Sequence, residues 1–167
     1  CPSIPNISQS DSDADGVGDL CEGNSPIMTI LGTQQGDFGT RVEVIGDANG
    51  DGREDIAIGA PGDDQAGTDA GRVFVYSGAT ASQLYELPGQ AAQTLFGISL
   101  SRLGDINGDL SEDFAAGAPG TGVPPGFVYI ISSQSGAELS NVSRATNFGF
   151  GLAVAAMGLV DGDGVPD

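Results

Sequence analysis

The feature that most constrains this chain is that it repeats itself. Phe38-Gly39 leads to Gly46-Asp47-Ala48-Asn49-Gly50-Asp51-Gly52-Arg53-Glu54-Asp55 and then to Gly59-Ala60-Pro61. Phe96-Gly97 leads to Gly104-Asp105-Ile106-Asn107-Gly108-Asp109-Leu110-Ser111-Glu112-Asp113 and then to Gly117-Ala118-Pro119. A third copy opens at Phe150-Gly151, reaches Gly158 and continues through Asp161-Gly162-Asp163-Gly164-Val165-Pro166-Asp167. The copies are offset by 58 residues (Asp47 to Asp105) and 54 residues (Gly104 to Gly158). A period of this length means that one small supersecondary unit is stacked against copies of itself, as in propellers and solenoids.

Each period holds about four strand-like runs. In the first they lie near 40–45, 55–60, 72–77 and 83–87; in the second near 98–103, 113–118, 126–132 and 137–140. Alternating β-branched and aromatic residues mark the runs, and Gly-rich turns separate them. No long apolar stripe of 3.6-residue period is present, so helix is expected to be scarce. Four short antiparallel strands per repeat make the blade of a β-propeller. The fold class expected is therefore all-β, a partial β-propeller of four-stranded blades. Residues 27–31 precede the first Phe-Gly as 84–87 precede the second, and are expected to form the outer strand of an earlier or closing blade. Phe38, Phe96, Phe148, Phe150, Tyr76 and Tyr129 are expected to pack blades. The chain starts at Cys1 and stops inside the third acidic motif, so it is expected to be a piece of a longer protein.

The acidic loops carry the chemistry. The first offers side-chain oxygens at Asp47, Asn49, Asp51 and Asp55, with the backbone carbonyl of Arg53 between. Carboxylates about 5 Å apart repel by roughly 3 kcal/mol per pair at an effective dielectric near 20. A hard cation with six to eight oxygen ligands relieves that repulsion, and Ca²⁺ is the cation that accepts such a set on a Gly-bent loop. The second loop offers Asp105, Asn107, Asp109, the Ser111 carbonyl and Asp113, with Leu110 in place of glycine at the sixth position. The third keeps Asp161, Asp163, the Val165 carbonyl and Asp167, but Leu159 stands where the first carboxylate belongs. A fourth cluster, Asp11, Asp13, Asp15, Val17, Asp19 and Glu22, has the ligand spacing of an EF-hand loop. Prolines and small polar residues on both sides argue against the helices an EF-hand requires.

Charge excludes several partners. The formal net charge is −18, with 23 acids, five arginines, no lysine and no histidine. Nucleic acid and anionic membrane both need cations to neutralise phosphate, so neither is expected. No apolar run is long enough to span a bilayer. Without histidine there are no imidazole bases or His-zinc sites. Sixteen of the 23 acids lie in the four clusters, and four bound Ca²⁺ would bring −18 to −10. No catalytic residue is assigned: no Gly-x-Ser-x-Gly elbow or phosphate-binding glycine loop occurs, and the dense carboxylate pairs already fit calcium loops.

The motif of Phe-Gly, the acidic nonapeptide and Gly-Ala-Pro resembles the FG-GAP repeat, which builds the propeller head of integrin α subunits and occurs in many secreted bacterial proteins. The resemblance covers about 25–167, with two complete blades and a third truncated. Cys1-Pro2 through Asn6, Gln9 and the 11–21 cluster resembles a thrombospondin type 3 repeat, which makes 1–24 a short calcium-organised unit. That resemblance implies a Cys1–Cys21 disulfide, worth about 3 kcal/mol by loop closure, and an oxidising compartment; two free thiols are the alternative. Together the resemblances imply a calcium-binding, non-catalytic adhesion or recognition module, extracellular or at the cell surface, whose ligand is a protein or glycan and whose further blades lie in the rest of the chain. Two other readings stay open: an accessory region of a secreted hydrolase, and a structural spacer on the cell surface. The loops 62–70 and 120–125 carry no recognisable ligand motif, and no Arg-Gly-Asp occurs.

Overall fold

A computed structural model of the chain describes residues 28–32, 36–121, 125–144 and 149–158. The chain divides into two compact units, Cys1–Ile30 and Leu31–Asp167, and the described strands belong to the second. Eight of them run in order: β1 (Arg41–Gly46), β2 (Asp55–Ala60), β3 (Arg72–Tyr76), β4 (Gln83–Pro88), β5 (Ser99–Arg102), β6 (Phe114–Ala118), β7 (Gly126–Ile131) and β8 (Glu138–Arg144). They form two antiparallel four-stranded sheets of order β1-β2-β3-β4 and β5-β6-β7-β8. Among the described residues there is no helix. The all-β architecture of consecutive four-stranded blades is thus as expected. Two expectations need correction. Residues 28–32 form no strand, and β8 runs on to Arg144, past the expected end at 140. Along β8 every residue is exposed, so no in–out alternation marks its length. It is held instead by backbone pairing from Gly126↔Arg144 to Ile131↔Glu138.

The core lies along the middle strands and between the sheets. Val73, Val75, Leu100 and Phe114 are fully buried, joined by Phe96, Tyr129 and Ile131. Burying side chains of this size contributes about 1.5–3 kcal/mol each. Phe96 meets Tyr129 edge-to-face at 5.5 Å, and Phe127 stacks on Tyr129 at 5.5 Å. In the first blade Phe38 packs edge-to-face on Phe74 at 5.3 Å.

The glycines of the repeat explain how one blade meets the next. The Phe-Gly glycine has φ of 89° at Gly39, 89° at Gly97 and 88° at Gly151, a left-handed conformation that side chains oppose. It ties back to its own blade, with Gly39 N donating to Gly59 O at 3.0 Å and Gly97 N to Gly117 O at 2.9 Å. The Gly-Ala-Pro glycine then faces the following copy. A Cβ on Gly59 would overlap the carbonyl oxygen of Gly97, and one on Gly117 would overlap that of Gly151. Phe-Gly of one blade and Gly-Ala-Pro of the preceding one are two halves of one backbone-on-backbone seam.

Candidate metal loops

The two described loops are built by the same hydrogen bonds, residue for residue. Gly50 N and Gly108 N donate to Oδ1 of Asp47 and Asp105, both at 2.7 Å. Asp51 N and Asp109 N donate to the same oxygens at 3.1 Å. Gly52 N and Leu110 N donate to Oδ2 at 2.7 and 2.8 Å. The third-position amides act alike: Asn49 Oδ1 accepts from Asp51 N at 2.9 Å and Asn107 Oδ1 from Asp109 N at 2.8 Å. Asp51 and Asp109 each accept the amide two residues on, from Arg53 and Ser111, at 2.9 Å. Asn107 Nδ2 also donates to Asp109 Oδ2 at 2.9 Å, bringing the third and fifth positions together directly.

These contacts set the acidity of the carboxyls. The Gly52 amide, joined by those of Gly50 and Asp51, holds Asp47 below the usual carboxylate range against a smaller opposing effect of burial. The Asn107 side chain and the Ser111 amide do the same for Asp109. Each of these two carboxylates keeps spare capacity on one oxygen, Asp47 Oδ2 and Asp109 Oδ1, because a carboxylate offers about four lone-pair sites and three are taken.

The ninth-position aspartates are different. Asp55 and Asp113 are completely buried. Asp55 Oδ2 accepts from Ala48 N at 2.9 Å and its Oδ1 from Gly78 N at 2.9 Å, locking the loop to the β3–β4 turn. Asp113 Oδ2 accepts from Ile106 N at 2.8 Å, but its Oδ1 is buried without a hydrogen bond. Burial, reinforced by the neighbouring Asp109 charge, pushes Asp113 up. Gly78 and Ser133 each follow the serine that closes β3 or β7. Gly78 has no room for a side chain, since a Cβ there would overlap the Glu54 carbonyl oxygen.

Sequence reasoning missed the serines that complete each loop from the far side of the blade. Ser77 Oγ donates to Asp51 Oδ2 at 3.4 Å and Ser132 Oγ to Asp109 Oδ2 at 3.3 Å. The repeat held the signal, since a serine directly follows the third strand in both copies. The loops also touch across the seam: Ser111 Oγ donates to the Asp47 carbonyl at 2.9 Å. Leu110 takes φ of 71°, matching Gly52 at 84°, and is 96% exposed. Among the described residues no three acidic side chains are grouped closely enough to hold a metal by themselves. The third loop's Asp161, Asp163, Val165 and Asp167 lie outside the described residues, as do Phe148, Asp11, Asp13, Asp15, Val17, Asp19, Glu22 and the Cys1–Cys21 pair. Among the described residues no helix is long and apolar enough to cross a membrane.

Comparison with known proteins agrees with this geometry. Residues 38–76 match the FG-GAP repeat family. The chain is 34% identical over 157 residues to integrin alpha-4 of Xenopus laevis, covering 84% of this chain and 15% of that protein. It is 31% identical to integrin alpha ina-1 of Caenorhabditis elegans, over 86% of this chain and 15% of the relative. With integrin alpha-PS2 of Drosophila melanogaster it shares 35% identity over 71% of its length and 9% of the relative. It therefore spans a small part, about one-seventh or less, of these relatives. Residues 38–76 are an FG-GAP repeat, set in a chain that is similar over most of its length to integrin α chains.

Proposed function

We propose that this chain is part of a calcium-organised recognition module, extracellular or at the cell surface and without catalysis of its own. Its similarity to integrin α chains supports an adhesive role, and the ligand would be an extracellular protein or glycan. The observation that carries the calcium reading is the ninth-position carboxylate. Asp113 is buried with one oxygen lacking any hydrogen bond, in a loop whose other donors are hard oxygens. A buried, unsatisfied, ionisable oxygen is costly unless a cation accompanies it. In the first loop Asp47, Asn49, Asp51, the Arg53 carbonyl and Asp55 would hold the ion; in the second, Asp105, Asn107, Asp109, the Ser111 carbonyl and Asp113. Bound Ca²⁺ would supply charge neutralisation and a rigid turn, not reaction chemistry. The same role is proposed for Asp161, Asp163, Val165 and Asp167, and for the 11–22 cluster beside a Cys1–Cys21 bridge.

A calcium titration by calorimetry, paired with thermal melts in calcium and in chelator, tests this. The expected result is three to five Ca²⁺ per chain and a marked loss of stability in chelator. Asp51→Ala should lower the stoichiometry by one. Absence of binding with an unchanged melt would overturn the assignment of every loop.

A further inference from the structure

The first and second acidic loops are joined through one residue. Ser111, at the seventh position of the second loop, is buried. Its amide donates to Asp109 Oδ1 at 2.9 Å, and its carbonyl is the oxygen assigned above to the ion of that loop. Its hydroxyl reaches across the seam and donates to the backbone carbonyl of Asp47 at 2.9 Å. Asp47 opens the first loop, and its carboxylate collects the amides of Gly50, Asp51 and Gly52. One residue thus ties the fifth and seventh positions of one loop to the residue around which the other is wound.

The hydroxyl is held in that direction. Ser133 is completely buried, and its Oγ lies 3.1 Å from Ser111 Oγ. A hydroxyl has one proton. That of Ser111 goes to Asp47, so Ser133 Oγ donates to Ser111 Oγ. Tyr85 of β4 in turn donates to the Ser133 carbonyl. The first copy has no such relay: Arg53 and Gly78 stand where Ser111 and Ser133 stand in the second. The two serines therefore belong to this seam and not to the repeat as such. The backbone beside them is also closely packed, since a Cβ on Gly46 would lie 3.1 Å from Glu112 Cβ.

We propose that the Ser111 hydroxyl couples the first two loops, so that calcium held in either one tightens the other; this rests on the calcium reading of the loops. Ser111 is a positioning residue for the first loop and, through its carbonyl, a ligand in the second. When the first loop is filled, Asp47 is fixed and the Ser111 hydroxyl with it. The Ser111 carbonyl is then already placed, and less ordering remains for the second loop to undergo. Coupling of this kind is reciprocal. Charge acts in the opposite direction, because a filled loop attracts a second cation less strongly. The loop tips are exposed, however, at Asn49, Gly50 and Asp51 and at Asn107 and Gly108. Salt screens exposed charges there, and it screens the buried serine relay much less.

The test is a calcium titration of the full chain in about 0.15 M salt, where exposed charges are screened beyond about 8 Å. NMR at the Gly52 amide reads the first loop and at the Leu110 amide the second. Coupling shows in full at the loop that fills later, expected to be the second because of Leu110. Asp51→Ala, which empties the first loop and does not touch Ser111, should lower the affinity read at Leu110 by about three- to tenfold, the reach of one hydrogen bond. If Gly52 titrates later, Asp109→Asn read at Gly52 is the same experiment. Ser111→Ala keeps the carbonyl ligand: in that background both loops should still titrate, and the second substitution should no longer move the curve. Ser133→Gly, the first copy's residue, should reduce the coupling without touching a ligand. Arg102→Met, which removes the charged bridge across the same seam, should leave it intact. A serine with a merely structural role would lower the melt and leave the coupling unchanged. Independent titration of Gly52 and Leu110, or coupling that survives Ser111→Ala, would overturn the proposal and leave the calcium loops standing. No shift at either amide would overturn both.

Discussion

If the seam between Phe-Gly and Gly-Ala-Pro holds the blades together, one methyl group placed in it should separate them. Gly59 is the place to put it. It is buried in β2 and its φ lies outside the left-handed region, so alanine suits its backbone. A Cβ there would overlap the Gly97 carbonyl oxygen and lie 2.9 Å from the Gly97 carbonyl carbon and 3.5 Å from its Cα. Carbon atoms pack at about 3.5–4.0 Å, so the carbon contact alone asks for about 0.6–1 Å, and the closer oxygen makes the two backbones part by about 1 Å or more. Neither side can yield as a flexible side chain would, because Gly97 N is bonded to Gly117 O and Gly59 O accepts from Gly39 N. Overpacking of this kind costs about 1–3 kcal/mol. Replacing glycine stiffens the unfolded chain and returns about 0.4–1 kcal/mol. These ranges net to about 0–2.6 kcal/mol; with backbone on both sides of the contact the upper half applies, about 1.3–2.6 kcal/mol, or roughly 3–10 °C in Tm for a chain of this size. Gly62→Ala is the control: its φ is also ordinary and the nearest atom is the movable Asp37 Oδ2 at 3.1 Å. Thermal melts at fixed calcium give the comparison. Amide exchange adds location, since Leu95 N and Phe96 N bond across the seam to Asp69 O and Ala70 O and should lose protection while Val75 in β3 keeps it. A Gly59→Ala protein melting with or above the Gly62→Ala control would refute the seam.

Three further outcomes are expected from the same geometry. Leu110→Gly should raise Tm by a few degrees, because a fully exposed leucine at φ of 71° contributes strain of about 1–3 kcal/mol and no packing, more than the roughly 0.4–1 kcal/mol that glycine costs by loosening the unfolded chain; a lower melt would show that the strain does not exceed that cost. Arg102 bridges the blades, pairing with Glu54 at 2.7 Å and with Glu112, and all three side chains are more than a third exposed or close to it. Arg102→Met should therefore cost only about 0.5–1 kcal/mol, a difference that melts in 1 M salt should largely erase, since screening there acts over about 3 Å. Tyr129 should ionise above the ordinary tyrosine pKa of 10.0 because burial and then Glu138 oppose its phenolate. A group raised in the folded state contributes stability that is complete below pH 10 and declines as pH rises toward the folded value. Absorbance titration should accordingly show Glu138→Gln moving the Tyr129 pKa downward, and no movement would place the carboxylate too far from the ring.

What the sequence made legible is what each repeat does alone. Ile56, Ile58, Val73 and Val75 alternate over runs bounded by glycine, so their strands are readable from the residues themselves. The acidic spacing likewise announces a loop that closes on its own amides. What it hid was every feature made by two segments at once. The reason for Gly59 becomes visible only when Gly97 is placed against it. Ser77 and Ser132 reach their loops from the other end of a blade. The edge-to-face pair of Phe96 and Tyr129 is likewise visible only once the strands are placed side by side. β8 went unread past residue 140 because an edge strand exposed throughout has no buried face to impose a pattern on its residues. The copies also differ at telling positions: Gly52 becomes Leu110, and Gly78 gives way to Ser133. Leu110 holds a left-handed backbone that glycine takes freely, and in the same copy Asp113 Oδ1 is buried without a hydrogen bond. In a repeat protein, identity between copies encodes the blade. The second loop should accordingly be the one whose stability depends most on a bound ion, because its buried carboxylate has one hydrogen bond fewer than its counterpart in the first.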